Sequence, residues 1–279
     1  MGTIATMTFE EYKDIKHSAP YVVHLEGRSG VGLLYYGSRH SCDPADPMFG
    51  DIQTRFLALQ PNVALVEGCR SDVPPPPALP PDLDDVIRVS GEGGYVRFLA
   101  NAHSVPVLGL DPPFDAEVEH LLASFSKEQL FLFYCLEMIV QYRRMESRPS
   151  YEEYMGRFCE FMVRRLDLKA SMAPLALLHT LHKRESGHEL DWGTFPDEMV
   201  CPLVWEGFTN EICRQSSYFR DSSQVATLLE AVRAHYKAFA VVGASHVVMQ
   251  ERALREAFAD VWGTSVSRAP TQPRRAGSG

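Results

Sequence analysis

The chain has 279 residues, 45% hydrophobic and 23% charged, with a formal net charge of -9. That is the balance of an ordinary globular protein with enough length for a sizeable core. It excludes a nucleic-acid surface, which needs clustered Lys and Arg. No apolar run approaches the roughly 20 residues that span a bilayer, so no membrane partner is expected. The first twenty residues lack a basic-then-apolar export signal, and the six cysteines are scattered without a C-x-x-C pair. They read as free thiols in a reducing, cytoplasmic setting.

In chain order, Thr8 with Glu11 three residues later starts a short helix expected over 8–17. Tyr21–Glu26 and Gly32–Tyr36, joined by Gly27-Arg28-Ser29-Gly30, form a β-hairpin signal. Its second strand ends in Gly37-Ser38-Arg39-His40. Phe49, Ile52, Phe56 and Leu59 recur at helical spacing, and Val63-Ala64-Leu65-Val66 is an all-apolar strand suited to burial on both faces. Glu67 follows it. The prolines around 74–81 forbid helix or central strand and read as an extended surface loop. Gly91-Glu92-Gly93-Gly94 then precedes a helix expected over Tyr95–Ala102, and Val105–Leu110 is a further buried strand closed by Asp111.

The middle changes character. Ser126 with Gln129 and Ser150 with Glu153 are capping-box patterns opening long helices, and 171–184 adds a third. The expected fold is therefore α/β (α+β): a mixed central sheet with parallel βαβ elements, flanked by helices, with a mostly helical insertion. We expect one domain over 1–264, the insertion at about 114–200, and a disordered tail over 265–279. A helix over Gly207–Tyr236 carries Arg220-Asp221 and feeds the strand Phe239–Val242. That strand ends in Gly243-Ala244-Ser245-His246, and Gln250–Ala259 forms a closing helix.

The chemistry-bearing residues stand where strands end: His40, Glu67, Asp111 and His246. In open α/β sheets the ligand crevice forms at those ends. Two imidazoles and a carboxylate converging there can hold a divalent metal through His40, His246 and Glu67, with Zn, Mn, Co or Fe equally suited. Alternatively, a histidine or Glu67 acts as general base on water without metal. The bland alternative is that each histidine is a strand-end residue bonded to backbone. His179, His182 and His188 have metal-like spacing but lack a regularly placed carboxylate, and read as helix-surface or lid residues.

The ordered set Tyr36-Gly37-Ser38-Arg39-His40, Leu65-Val66-Glu67-Gly68, Tyr218-Phe219-Arg220-Asp221 and Val242-Gly243-Ala244-Ser245-His246 resembles the Tiki/TraB superfamily. That group includes the Tiki metalloproteases, the TraB/PrgY and GumN proteins and, more distantly, erythromycin esterases and ChaN-like proteins. The resemblance implies metal-dependent hydrolysis of an amide, peptide or ester bond in a peptide or small metabolite. It implies that His40 and His246 are metal ligands or acid/base groups, that Glu67 is a ligand or base, and that Arg220 stabilises charge or orients Glu67. Arg39, Ser245, Glu92 and Asp111 are candidate substrate-binding residues. The alternative function is a non-catalytic binder that sequesters a peptide, haem or metabolite in the same pocket.

Overall fold

A computed structural model describes residues 5–70, 79–145, 148–169 and 171–263. Most of the proline-rich loop (71–78) and the tail from 264 onward, expected to be disordered, lie outside the described residues. The chain forms two compact units, residues 1–113 with 220–279, and Phe114–Phe219.

The first unit is built on a five-stranded sheet. Strands β1 (Tyr21–Glu26) and β2 (Gly32–Ser38) form the expected antiparallel hairpin, with Tyr21 opposite Gly37 and Glu26 opposite Gly32. Parallel strands β3 (Val63–Arg70), β4 (Val107–Asp111) and β5 (Lys237–Gly243) complete the order β1-β2-β5-β3-β4. The mixed α/β sheet is thus as expected from the sequence.

The unit also holds α1 (Phe9–Tyr12), α2 (Pro47–Leu59), α3 (Leu83–Ala102) and α9 (Ala244–Trp262), together with the C-terminal part of α8 (Phe208–His235). Strand alternation sends side chains to two cores. Leu33, Tyr35, Leu65, Ala240 and Val242 pack with Val225, Leu228 and Val232 of α8 and Val247, Leu254 and Phe258 of α9. Leu34, Tyr36, Val66, Phe239 and Val241 pack with Ile52 and Phe56 of α2 and Val96 and Leu99 of α3. Burying each large apolar side chain contributes about 1.5–3 kcal/mol, so both faces of the central strands are committed to packing.

This topology creates a crevice. After β2 and β3 the chain turns to α2 and α3 on one face; after β5 it turns to α9 on the other. Segments leaving neighbouring strands in opposite directions open a gap at the C-terminal edge.

Three helices differ from their sequence expectation. Helix α1 keeps its capping box at Thr8 and Glu11 but ends at Tyr12, not 17; the Tyr12 hydroxyl and His17 Nε2, 2.7 Å apart, hold an irregular turn there. Helix α3 begins at Leu83 because Asp82 caps the amides of Asp84 and Asp85, and it contains Gly91–Gly94 across a kink at Gly91 (φ 52°). Only glycine adopts that backbone freely. Helix α9 starts at Ala244 rather than Gln250, placing Ser245 and His246 in its first turn.

The second unit is helical, as expected of the insertion. It comprises α4 (Phe114–Leu122), α5 (Lys127–Arg144), α6 (Tyr151–Arg165), α7 (Pro174–Ser186) and the start of α8. Ser126 and Gln129 form the full capping box of α5; Ser150 caps α6 by accepting from the Glu153 amide. Leu130, Phe131, Phe133, Leu136, Met155, Cys159 and Leu178 make a core of the unit's own. The unit runs to Phe219 rather than to about 200, because Ile212 joins that core and Asn210 Nδ2 ties residues 198 and 201 back to α8. Among the described residues no helix is long and apolar enough to cross a membrane.

Candidate functional site

The two Gly-x-x-His segments lie on adjacent strands of the first unit. Parallel pairing of β2 with β5 sets Gly37 opposite Val242 and Ser38 opposite Gly243, so the segments run side by side, one residue out of step.

At the end of β2, the buried Ser38 hydroxyl donates to Glu92 Oε1 at 2.7 Å. His40 follows in left-handed backbone (φ 55°), an uncommon conformation for a side-chain-bearing residue. It returns the imidazole over the strand ends. His40 Nδ1 meets the same Glu92 Oε1 at 2.7 Å, while a Cβ placed on Gly243 would stand 2.6 Å from His40 Nε2. The glycine of the second motif therefore makes room for the histidine of the first. The Glu92 hydrogen bond, reinforced by its charge, raises the His40 pKa above its ordinary value. Burial would raise Glu92, but His40 and the Ser38 hydroxyl outweigh it and hold the carboxyl below its usual range. Glu92 reaches this position because the Gly91 kink turns α3 as it enters the site.

Strand β3 runs on to Arg70 instead of closing at Val66 as expected, so Glu67 lies within it, where the pairing with β4 turns irregular, and is held from two directions. Its Oε2 accepts from the Gly243 amide and its Oε1 from Arg220 Nη2, both at 2.9 Å. Arg220 also donates to Asp111 Oδ1, at 3.0 Å from Nη2 and 3.3 Å from Nε. Asp111 Oδ1 accepts from Gln224 Nε2 at 2.9 Å, and its Oδ2 from the Gly68 amide at 2.8 Å. Burial would raise Asp111, yet the Arg220 charge, the Gly68 amide and the other donors hold its carboxyl low. Asp111, expected to bind substrate, thus has a defined place: it anchors Arg220.

From α9, His246 completes the group. Its Nδ1 lies 2.6 Å from Asp221 Oδ1 on α8, and its Nε2 faces Glu67 Oε1 at 3.5 Å. Burial works against the charged imidazole, but the charge and hydrogen bond of Asp221, with the charge of Glu67, raise its pKa overall. The charges of Glu67 and His246 also act on His40, so the expected residues share one electrostatic environment.

Two candidate substrate-binding residues are engaged elsewhere. Arg39 forks onto Asp46, the N-cap of α2, and the Ser245 hydroxyl lies beside the Tyr12 phenol. Among His179, His182 and His188, His182 is buried rather than on the surface, with Nδ1 against the His188 carbonyl at 3.2 Å.

The donor chemistry at His40, His246 and Glu67 suits a divalent ion: each imidazole has Nδ1 on a carboxylate, as ligating histidines do. The placement supplies no ready cluster. Among the described residues no group of three or more His, Cys, Asp or Glu is set to hold an ion, and both Glu67 oxygens already accept hydrogen bonds, one from a guanidinium.

Sequence reasoning missed Asp221 as a site residue, along with Gln224, Gln250 and Ser38. A signal existed: Asp221 and Gln224 continue the apolar stripe of Val225, Leu228 and Val232, and Gln250 sits between Val247 and Leu254 on another. Polar residues on a core-facing stripe must find partners or incur desolvation cost. Comparison with family models, curated proteins and solved structures finds no match.

Proposed function

We propose that this crevice is the active site of a hydrolase that cleaves an amide, peptide or ester bond in a peptide or small metabolite. The supporting observation is the pair of imidazoles at neighbouring strand ends, each with Nδ1 on a buried carboxylate, flanking the Glu67–Arg220 pair. Hydrolysis needs two proton movements. One imidazole takes the proton from water as its oxygen bonds to the substrate carbonyl carbon; the other, as imidazolium, gives its proton to the departing nitrogen or oxygen as that bond breaks. Arg220 holds Glu67 and Asp111 in register, and Glu67 faces His246 closely enough to stabilise its protonated form. The resemblance to the Tiki/TraB superfamily supports the same reaction class.

Metal dependence is a second reading, favoured by the two carboxylate-buttressed imidazoles. His40, His246 and Glu67 would hold the ion, which would supply a bound water of lowered pKa. Elemental analysis of the purified protein, with titration of Zn, Mn, Co and Fe, tests it: stoichiometric metal lost in the His246→Ala protein supports it, and its absence at saturating metal rejects it.

The hydrolytic reading is tested with a panel of p-nitrophenyl esters and peptide p-nitroanilides alongside mass spectrometry of incubated peptide pools. Products whose formation falls at least about 10²-fold on His40→Ala or His246→Ala uphold it. A ligand released unmodified after long incubation would instead indicate a binding protein.

A further inference from the structure

We infer that Asp221 is a positioning residue that fixes His246 as the Nδ1–H tautomer, leaving Nε2 as the base that activates water, with His40 as the acid. The assignment rests on the hydrolytic reading and specifies which imidazole does which work. Its support is the direction of hydrogen bonds along an open chain of side chains. From His246 Nδ1 the chain passes through Asp221, Gln250, Gln224, Asp111 and Arg220 to Glu67, whose Oε1 lies 3.5 Å from His246 Nε2.

Directions in this chain are dictated by groups that can only donate or only accept. Arg220 has donors alone, so Asp111 accepts; the Asp111 carboxylate then requires the Gln224 amide nitrogen, at 2.9 Å, to face it. That turns Gln224 Oε1 toward Gln250, whose Nε2 donates to it at 2.6 Å. The second Gln250 proton goes to Asp221 Oδ1 at 2.7 Å, and Tyr35, buried and held in its phenol form, donates to Gln250 Oε1 at 2.9 Å. Asp221 is therefore an acceptor, and the 2.6 Å contact requires a proton on His246 Nδ1. In neutral His246 the lone pair is on Nε2, the nitrogen on the Glu67 side of the ring.

Burial separates the two histidines in the same sense. The Asp221 side chain is 0% exposed and, among the described residues, its Oδ2 has no hydrogen-bond partner, so its charge is met by few donors and His246 is held firmly. The His246 side chain is 17% exposed, whereas that of His40 is 63% exposed. A base needs a fixed lone pair; an acid that hands its proton to a departing group can tolerate freedom and solvent.

The test is ¹⁵N–¹H correlation of the histidine rings in the full-length protein, at a pH where His246 is neutral and assigned through ring-to-backbone couplings. The expected result is an Nδ1–H, Nε2-lone-pair pattern for His246. Asp221→Asn should weaken or reverse that pattern, and lower kcat on the best chromogenic ester by about 10²-fold or more with KM changed only a few-fold. An Nε2–H tautomer in the wild type overturns the assignment, as does an unaltered pattern in Asp221→Asn. If that variant does not fold, the wild-type spectrum alone decides. Turnover with the wrong tautomer leaves hydrolysis standing and removes Asp221 from it. The right tautomer without turnover upholds Asp221 and overturns hydrolysis.

Discussion

The segments Gly37–His40 and Gly243–His246 share a four-residue pattern and adjacent parallel strands, yet they build different things. After Gly37 the chain stays extended through buried Ser38, then places His40 in left-handed backbone at the surface, held by Glu92. After Gly243 it enters a helix at once, and His246 is locked in the first turn against Asp221. The glycines differ likewise. A Cβ on Gly37 would stand 2.7 Å from Ala244 Cα and 2.8 Å from the Tyr21 carbonyl oxygen; the three atoms nearest to one on Gly243 all belong to the His40 ring. A shared motif fixes where a chain turns, and the following element decides what the histidine can do.

Removing each histidine should expose this asymmetry most strongly. His246→Ala is expected to reduce kcat/KM by about 10³–10⁴-fold and His40→Ala by about 10²-fold, because solvent can stand in for an exposed acid more readily than for a fixed base. Parallel steady-state kinetics on one ester substrate would refute the division of labour if the order were reversed.

The glycines should divide stability from activity. Gly37→Ala drives a methyl into backbone and is expected to destabilise the fold by about 1–3 kcal/mol, read as a lower midpoint in chemical denaturation. Gly243→Ala meets a largely exposed imidazole that can swing away, so the midpoint should hold while activity falls. Equal stability losses would show that the two positions are equivalent.

A smaller effect concerns pH. Glu92 raises the His40 pKa, so an acid at His40 stays protonated to higher pH, and the rate declines as pH rises through that raised value. Glu92→Gln removes the cause, and the alkaline limb of the pH–rate profile should move to lower pH. An unmoved limb would detach His40 from that limb.

The smallest concerns the loop between His40 and α2. Arg39 lowers the Asp46 pKa from 3.8 to about 2. The stability this contributes is present above the unfolded value and is lost as pH falls through about 2. Asp46→Asn keeps an N-cap but removes the charge, so it should cost roughly 0.2–1 kcal/mol near neutrality and flatten the loss of stability below pH 4, as measured by urea denaturation across that range.

Much of this was legible in the sequence, for physical reasons. Apolar runs such as Val63–Val66 can be satisfied only between two layers, and prolines and capping boxes punctuate helices locally, so the mixed sheet and the helical insertion followed from pattern alone. Glycine-to-histidine spacing at strand ends marked His40 and His246, and Glu67 stood out as a charge closing an apolar strand. The sequence could not reveal that Glu92 enters the site through a kink at Gly91, or that Asp111 serves Arg220. It also left hidden that Asp221, Gln224 and Gln250 join a hydrogen-bonded chain with residues up to 183 positions away in the sequence. Those partnerships join α3, α8 and α9 to strand ends, and a polar side chain's partner is chosen by which helix packs over it. Local propensity decided the elements; the tertiary structure decided which nitrogen of each histidine is held, and by what.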